Sequence, residues 1–122
     1  MSRTQLLARL TALHRERRRL LRRLTAAHDL AVGTVAVVAR KCGNPTCHCA
    51  DGDGHPQVQF LFKDPDGVRR CKLVRKADHQ RLLLAGDRYR DFRADLRRLN
   101  DINSQERRIL MSLRDLRAIH YE

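Results

Sequence analysis

Cys42, Cys47 and Cys49, with His48 inside the run and His55 shortly after it, gather three thiols and two imidazoles into fourteen residues. Zinc takes four tetrahedral ligands from cysteine and histidine. The spacing Cys42-x4-Cys47-x-Cys49-x5-His55 supplies them, and Gly43, Asn44, Pro45, Gly52, Asp53, Gly54 and Pro56 are turn formers that let the backbone fold back on itself. The expected ligand set is therefore Cys42, Cys47, Cys49 and His55 around one Zn2+. His48 stands between two ligands, and its side chain tends to point away from theirs. Cys71 is the alternative fourth ligand, and His48 stays open as another, although an isolated thiol is more often a small buried apolar group. Four protein ligands leave no coordination position for water or substrate, so the expected ion is structural. Cys47-x-Cys49 lacks the Cys-x-x-Cys spacing of thioredoxin-like motifs but could still oxidise.

The elements that must hold this cluster follow from periodicity. From Thr4 to about His28, Leu6, Leu10, Leu13, Leu20, Leu24 and Ala27 repeat at a three-four spacing that one helix gathers into a stripe, broken only by Arg17. From Ala77 to about His120, Tyr89, Phe92, Leu96, Leu99, Asn103, Glu106, Leu110 and Leu113 form a second stripe, flanked by Ile102, Ile109 and Leu116. Gly86 lies inside that helix, at a cost of about 1 kcal/mol relative to Ala, and is a candidate kink. Between the helices the period becomes two. Thr34–Arg40, Gln57–Lys63 and Val68–Val74 read as strands, and Asp64-Pro65-Asp66-Gly67 as the turn of a hairpin. A two-stranded register pairing Lys63 with Val68 sets Phe60 opposite Cys71; a three-residue loop would shift it.

At these residues the chain resembles a family of small bacterial proteins of unknown function found near transposase or recombinase genes. That family's pattern runs Cys-Gly-x-x-x-Cys-x-Cys, a short glycine-containing loop, His-Gly-Pro-Tyr, a hairpin, and a helix with Tyr-Arg-x-Phe and Ile-Asn-x-x-Glu. Here it meets Cys42, Gly43, Cys47, Cys49, His55 and Pro56, then Tyr89, Arg90 and Phe92, then Ile102, Asn103 and Glu106, so the likeness spans Gly33 to Leu110. The glycine between His55 and Pro56 is missing, and Gln57-Val58-Gln59 replaces the aromatic run. The resemblance implies a mobile-element setting and brings no established activity.

Charge points to the partner. The 122 residues carry 26 Lys and Arg against 14 Asp and Glu, a net +12, which favours a polyanion. All the basic residues except Lys41, Lys63, Lys72 and Lys76 are arginine, suited to forked phosphate contacts. Arg15, Arg18, Arg19, Arg22 and Arg23 fall on the helix face away from the leucines. Arg69, Arg70, Lys72, Arg75 and Lys76 follow on and after the hairpin. With aromatics at 4% and no Trp, the expected binding is electrostatic and weakly sequence-selective, with DNA the first candidate. Asp87, Asp91 and Asp95 alternate with arginines and read as local ion pairs.

The expected fold is α+β: two long amphipathic helices, as an antiparallel hairpin or an intertwined dimer, joined by a zinc-bearing three-stranded β-module. The chain reads as a single domain, 1–122, made of a basic helix (1–30), the zinc module (31–76) and a long helix (77–122). Two helices offer little core, so a homodimer is expected through Leu96, Leu99, Asn103, Glu106 and Leu110, with Arg17 a candidate partner for the polar pair. No run reaches the roughly 20 apolar residues of a membrane span and no signal peptide is evident. A cytoplasmic, DNA-associated accessory protein is expected, with a transposase or recombinase as partner. The rival reading is a coiled-coil adaptor whose charge only solubilises it. No nucleophile constellation or phosphate loop suggests an enzyme.

Overall fold

The first helix, α1 (Arg3–Leu24), begins on a capping box. In the computed structural model, which describes residues 1–52 and 54–122, the Ser2 hydroxyl accepts from the Gln5 amide at 3.2 Å, and the Gln5 side chain accepts from the Ser2 amide at 2.9 Å. The strands β1 (Thr34–Arg40), β2 (His55–Lys63) and β3 (Arg69–Val74) follow, then the 39-residue helix α2 (His79–Arg117). Short 3₁₀ turns occupy His48–Asp51 and Lys76–Asp78. The class is α+β, with a three-stranded antiparallel sheet in the order β1-β2-β3. Among the described residues no helix is long and apolar enough to cross a membrane.

In space the three sequence segments regroup into two compact units. One is Met1–Ala27 with Phe92–Glu122; the other is His28–Asp91. Helix α2 contributes to both.

In the helical unit, Leu6, Leu13 and Leu20 of α1 are buried with Ile102 and Ile109 of α2, and Leu10, Leu24, Leu99 and Leu113 pack around them. The α1 stripe is thus the one its spacing predicts. On α2 the buried line is Leu99, Ile102, Glu106, Ile109 and Leu113, rotated from the expected one. Leu96 and Leu110 are 41% and 54% exposed, whereas Ile102 is fully buried. Both lines keep a three-four spacing and share Leu99, Glu106 and Leu113, so spacing alone could not choose between them. The β-branched isoleucines lie on the packed side.

Arg17, the break in the α1 stripe, bonds to both expected polar residues. Its guanidinium donates to the two Glu106 carboxylate oxygens at 3.3 and 2.7 Å and to the Asn103 side-chain oxygen. Ion pairs Arg23–Asp95 at 2.8 Å and Glu16–Arg98 at 2.6 Å flank the seam.

In the unit of residues 28–91 the hairpin slips by one residue from the two-stranded expectation. Lys63 pairs with Arg69, Phe60 with Lys72 and Leu61 with Cys71. The cause is the turn. The Gly67 amide donates to the Asp64 carbonyl at 2.9 Å, Gly67 takes φ +80°, and the Asp64 amide donates to the Val68 carbonyl at 2.9 Å. A three-residue loop with a left-handed third position results, which glycine adopts at no steric cost. The Asp64 carboxylate accepts from the Asp66 and Val68 amides and from Arg70 at 2.9 to 3.0 Å.

Gly86 has a packing role inside an unbroken helix. A Cβ there would lie 3.0 Å from Val35 Cβ and Cγ2, so glycine lets β1 approach α2. The Ala31 amide, donating to the Ala85 carbonyl at 3.0 Å, ties the entry to β1 onto the same turn of helix.

Candidate metal centre

The cluster forms where β1 ends and β2 begins. Arg40 and His55 are cross-strand partners, so the chain between them is a closed loop whose two ends the sheet fixes. Pairing in the sheet starts earlier than the sequence suggested, and this puts His55 on the first position of β2.

Within the loop, the Asn44 side chain accepts from the Thr46 amide at 3.0 Å and the Thr46 hydroxyl at 2.8 Å, and the Cys47 amide donates to the Asn44 carbonyl at 3.0 Å. This Asx turn delivers Cys47 to the site. The 3₁₀ turn that follows carries Cys49, and the Lys41 ammonium donates to the Ala50 carbonyl at 2.9 Å across the loop. Gly54, at φ +90°, passes so close to the Arg40–Lys41 peptide that a Cβ would stand 2.4 Å from the Arg40 carbonyl carbon. Only glycine returns the chain to His55 by that route. Asp53, one of the expected turn formers, lies outside the described residues.

The four expected ligands converge. One donor atom from each of Cys42, Cys47, Cys49 and His55 lies within 4.8 Å of the other three. Cys42 Sγ is 3.4 Å from Cys49 Sγ, and Cys47 Sγ is 3.2 Å from His55 Nε2. Two sulfurs each about 2.3 Å from a tetrahedral zinc stand about 3.8 Å apart, so the donor set and its spacing fit a metal ion of that size and softness. Cys49 is buried, Cys47 and His55 are half-buried and Cys42 is exposed.

The backbone favours thiolate at the outer edge. The Asn44 backbone amide, helped by hydrogen bonding from Cys49, Cys47 and His55, lowers the Cys42 thiol to about 6. At Cys49 the Cys42 amide acts in the same direction, but burial and the Cys42 and Cys47 sulfurs outweigh it and raise the thiol.

The alternative ligands are placed elsewhere. Cys71 is an exposed thiol on β3 opposite Leu61, so neither the fourth-ligand role nor the buried position facing Phe60 holds; the one-residue slip moved it. His48 sits closer to the cluster than its sequence position suggested. Its Nδ1 is 4.0 Å from Cys47 Sγ, and its ring meets that of His55 edge-on at 5.4 Å. Asn44 was expected only as a turn former, without its bonds to Thr46, and Lys41 was not expected as a loop support. The Asn-Pro-Thr run carries the signal for the Asx turn, and nothing local marks Lys41.

Residues 10–83 match the family described as a domain of unknown function, DUF6788. The chain belongs to that family. The DUF6788 region takes in the whole sheet and the Cys/His cluster and stops near the start of α2, before Tyr89, Phe92 and the Ile102-Asn103-Glu106 group. No curated protein and no solved structure matches the chain.

The basic residues divide between the units. Arg15, Arg18, Arg19, Arg22 and Arg23 are all exposed on α1, on the face away from Leu6, Leu13 and Leu20. Arg23 is engaged by Asp95, and no ion pair to Arg15, Arg18 or Arg22 occurs among the described residues. In the DUF6788 sheet the register sets Arg70 and Lys72 on one face and Arg69 on the other. Arg70 is paired with Asp64 at 2.9 Å and Arg75 with Asp78 at 2.7 Å; Lys76 is exposed.

Proposed function

We propose that this chain is a zinc-stabilised, basic nucleic-acid-binding accessory protein, directed at DNA and acting with a transposase or recombinase of a bacterial mobile element. Zinc is the ion chosen because three thiolates and one imidazole are its common structural donor set, and all four positions come from the protein. The ion holds the loop and takes no part in chemistry, so no enzymatic role is proposed. The mobile-element setting rests on the resemblance in the cysteine and His-Pro motifs.

One observation carries the binding reading. Arg15, Arg18, Arg19 and Arg22 form an exposed array on α1 opposite its apolar seam. A helix face of exposed arginines, of which Arg15, Arg18 and Arg22 make no ion pair among the described residues and Arg19 lies near Glu16, is suited to phosphates, whose condensed counterions it would release. Such contacts carry no base information, so binding is expected to be weakly selective.

A second reading has support of its own. Leu7, Leu21, Leu96, Leu110 and Leu116 are exposed on the helical unit, and a second copy of the chain in a homodimer, or an adaptor's partner helix, would cover them.

Filter binding to duplex DNA across a salt series tests the proposal. Replacing Arg15, Arg18, Arg19 and Arg22 by Gln, while leaving the Arg23–Asp95 pair intact, should weaken binding to all sequences alike and flatten the salt slope by about one per arginine lost. If that variant binds as tightly as the wild type at every salt concentration, the arginines only solubilise and the adaptor reading takes first place.

A further inference from the structure

We propose that the groove between α1 and α2, on the side of the seam that carries Arg17 and Glu106, takes one amphipathic helix of a partner protein whose apolar stripe is edged by glutamate or aspartate. The inference rests on the second reading above and names the chemistry of the occupant; it does not depend on nucleic-acid binding.

Heptad spacing defines the walls of the groove. Leu7, His14 and Leu21 recur every seven residues along one flank of α1, and Leu96, Asn103 and Leu110 along one flank of α2. Contacts across the seam place the two flanks on the same side. Arg17 donates to Asn103 and Glu106, and His14 Nε2 lies 3.7 Å from Glu106, whereas the Glu16–Arg98 pair spans the opposite side. Leu7, Leu21, Leu96 and Leu110 are 37% to 54% exposed, and Leu10, Leu24, Leu99 and Leu113 beneath them are only half-buried. The helix pair thus keeps an apolar groove open, of the kind in which an amphipathic helix lays its apolar face.

The edges of this groove are cationic. Arg3 and Arg18 of α1, and Arg107, Arg114 and Arg117 of α2, follow wall residues at spacings of three, four or seven and are exposed. Arg114 meets Asp115 at 2.8 Å; no ion pair to Arg3, Arg18, Arg107 or Arg117 occurs among the described residues. The carboxylate on this side, Glu106, is already bonded to Arg17. At the C-terminal end of α2 a cavity of about 410 Å³, lined by Leu110, Leu113, Arg114 and Arg117, repeats the combination of apolar floor and arginine edge. A second copy of the chain would bring the same arginines against these and no free carboxylate. A helix with acidic residues beside its apolar stripe pairs with both edges, which is the charge pattern that selects a partner.

The middle of the groove is polar. The His14 side chain is 56% exposed, and Asn103 accepts from Arg17 with its oxygen, which leaves its amide group to donate. An apolar lipid surface would leave this layer unsatisfied. A partner helix with one polar side chain at its centre meets it, and a polar layer of that kind fixes register.

The test uses three peptides, each about three heptads long. One has leucine at its a and d positions, asparagine at the central a and glutamate at e and g. The second has lysine in place of glutamate, and the third has the composition of the first with its leucines shuffled off the stripe. The glutamate peptide should bind saturably at one per chain and gain helical circular dichroism, and the other two should not. Leu21→Ala and Leu96→Ala change exposed side chains without changing charge. Each should weaken glutamate-peptide binding by about tenfold and leave duplex DNA binding unchanged. Arg107→Glu combined with Arg117→Glu should transfer binding to the lysine peptide.

Equal binding of the stripe and shuffled peptides, or wild-type affinity in the leucine variants, overturns the inference, because charge alone then attracts the probe. A homodimer that refuses the glutamate peptide and that Leu96→Asp dissociates, seen by sedimentation, also overturns it and leaves the second reading standing with another copy as occupant. Vesicles of phosphatidylglycerol that bind wild type but not the leucine variants, while the peptide fails, assign the face to lipid and overturn it likewise. A monomer that binds none of these probes overturns the inference and the second reading together.

Discussion

With zinc at the Cys/His cluster, as proposed, its removal should unfold one unit and spare the other. The buried apolar side chains of residues 28–91 are Ala31, Cys49, Val58 and Ala85. At about 0.8 kcal/mol per buried methylene, the two alanines and the valine contribute on the order of 5 kcal/mol at most, and the fourth side chain is itself a candidate ligand. Structural zinc contributes about 10–16 kcal/mol of apparent binding free energy at neutral pH, a large term for a unit with so few fully buried apolar side chains. The helical unit has Leu6, Leu13, Leu20, Ile102 and Ile109 buried together, and the four candidate ligands all lie outside it. Excess chelator should thus abolish amide protection in β1, β2 and β3 while most of the helical circular dichroism persists. Cys47→Ser removes one of four donors and should weaken zinc binding by more than about 100-fold, with the same selective loss of sheet protection. Elemental analysis of protein purified without added metal, followed by hydrogen exchange with and without chelator, measures both effects. Protein that contains no zinc, titrates all its thiols in the native state and still protects its sheet amides would refute this account.

Gly86→Ala sets the helix gain of about 1 kcal/mol against overpacking on Val35 Cβ and Cγ2 at 3.0 Å, which costs about 1–3 kcal/mol. Net destabilisation is expected, and Val35→Ala in the same chain should reverse its sign in urea unfolding. Ile102→Ala empties a fully buried site and should cost about 2–5 kcal/mol. Leu96→Asp, at an exposed position, should leave the unfolding midpoint nearly unchanged and shift only the sedimentation of a dimer that uses that face. Asp95 is held below the ordinary carboxylate range by the hydrogen-bonded Arg23 guanidinium. Its stabilisation is present above an unfolded value of about 3.9 and is lost as pH falls through the depressed folded value. Asp95→Asn should accordingly cost up to about 1 kcal/mol at pH 7 and progressively less as pH falls through the depressed folded value, as acid titration of the unfolding free energy would show.

What the sequence disclosed follows from how local each determinant is. The Cys/His cluster was legible because all four candidate ligands lie within fourteen residues and their convergence needs only turns that Asn44, the 3₁₀ segment and Gly54 encode nearby. The α1 stripe was legible because a helix facing one neighbour has one apolar line. On α2 two lines satisfy the same spacing, and the choice of Ile102 and Ile109 over Leu96 and Leu110 is settled by what α1 presents, which α2's own periodicity does not contain. The hairpin register turned on a single hydrogen-bonding decision, whether Gly67 closes a two- or a three-residue loop. Asp-Pro-Asp-Gly is compatible with both. That decision has the widest consequence in the chain. It moved Cys71 from Phe60 to Leu61 and set Lys63 against Arg69, so which side chains oppose each other along the hairpin is written in one left-handed glycine rather than in any pattern of apolar or basic residues.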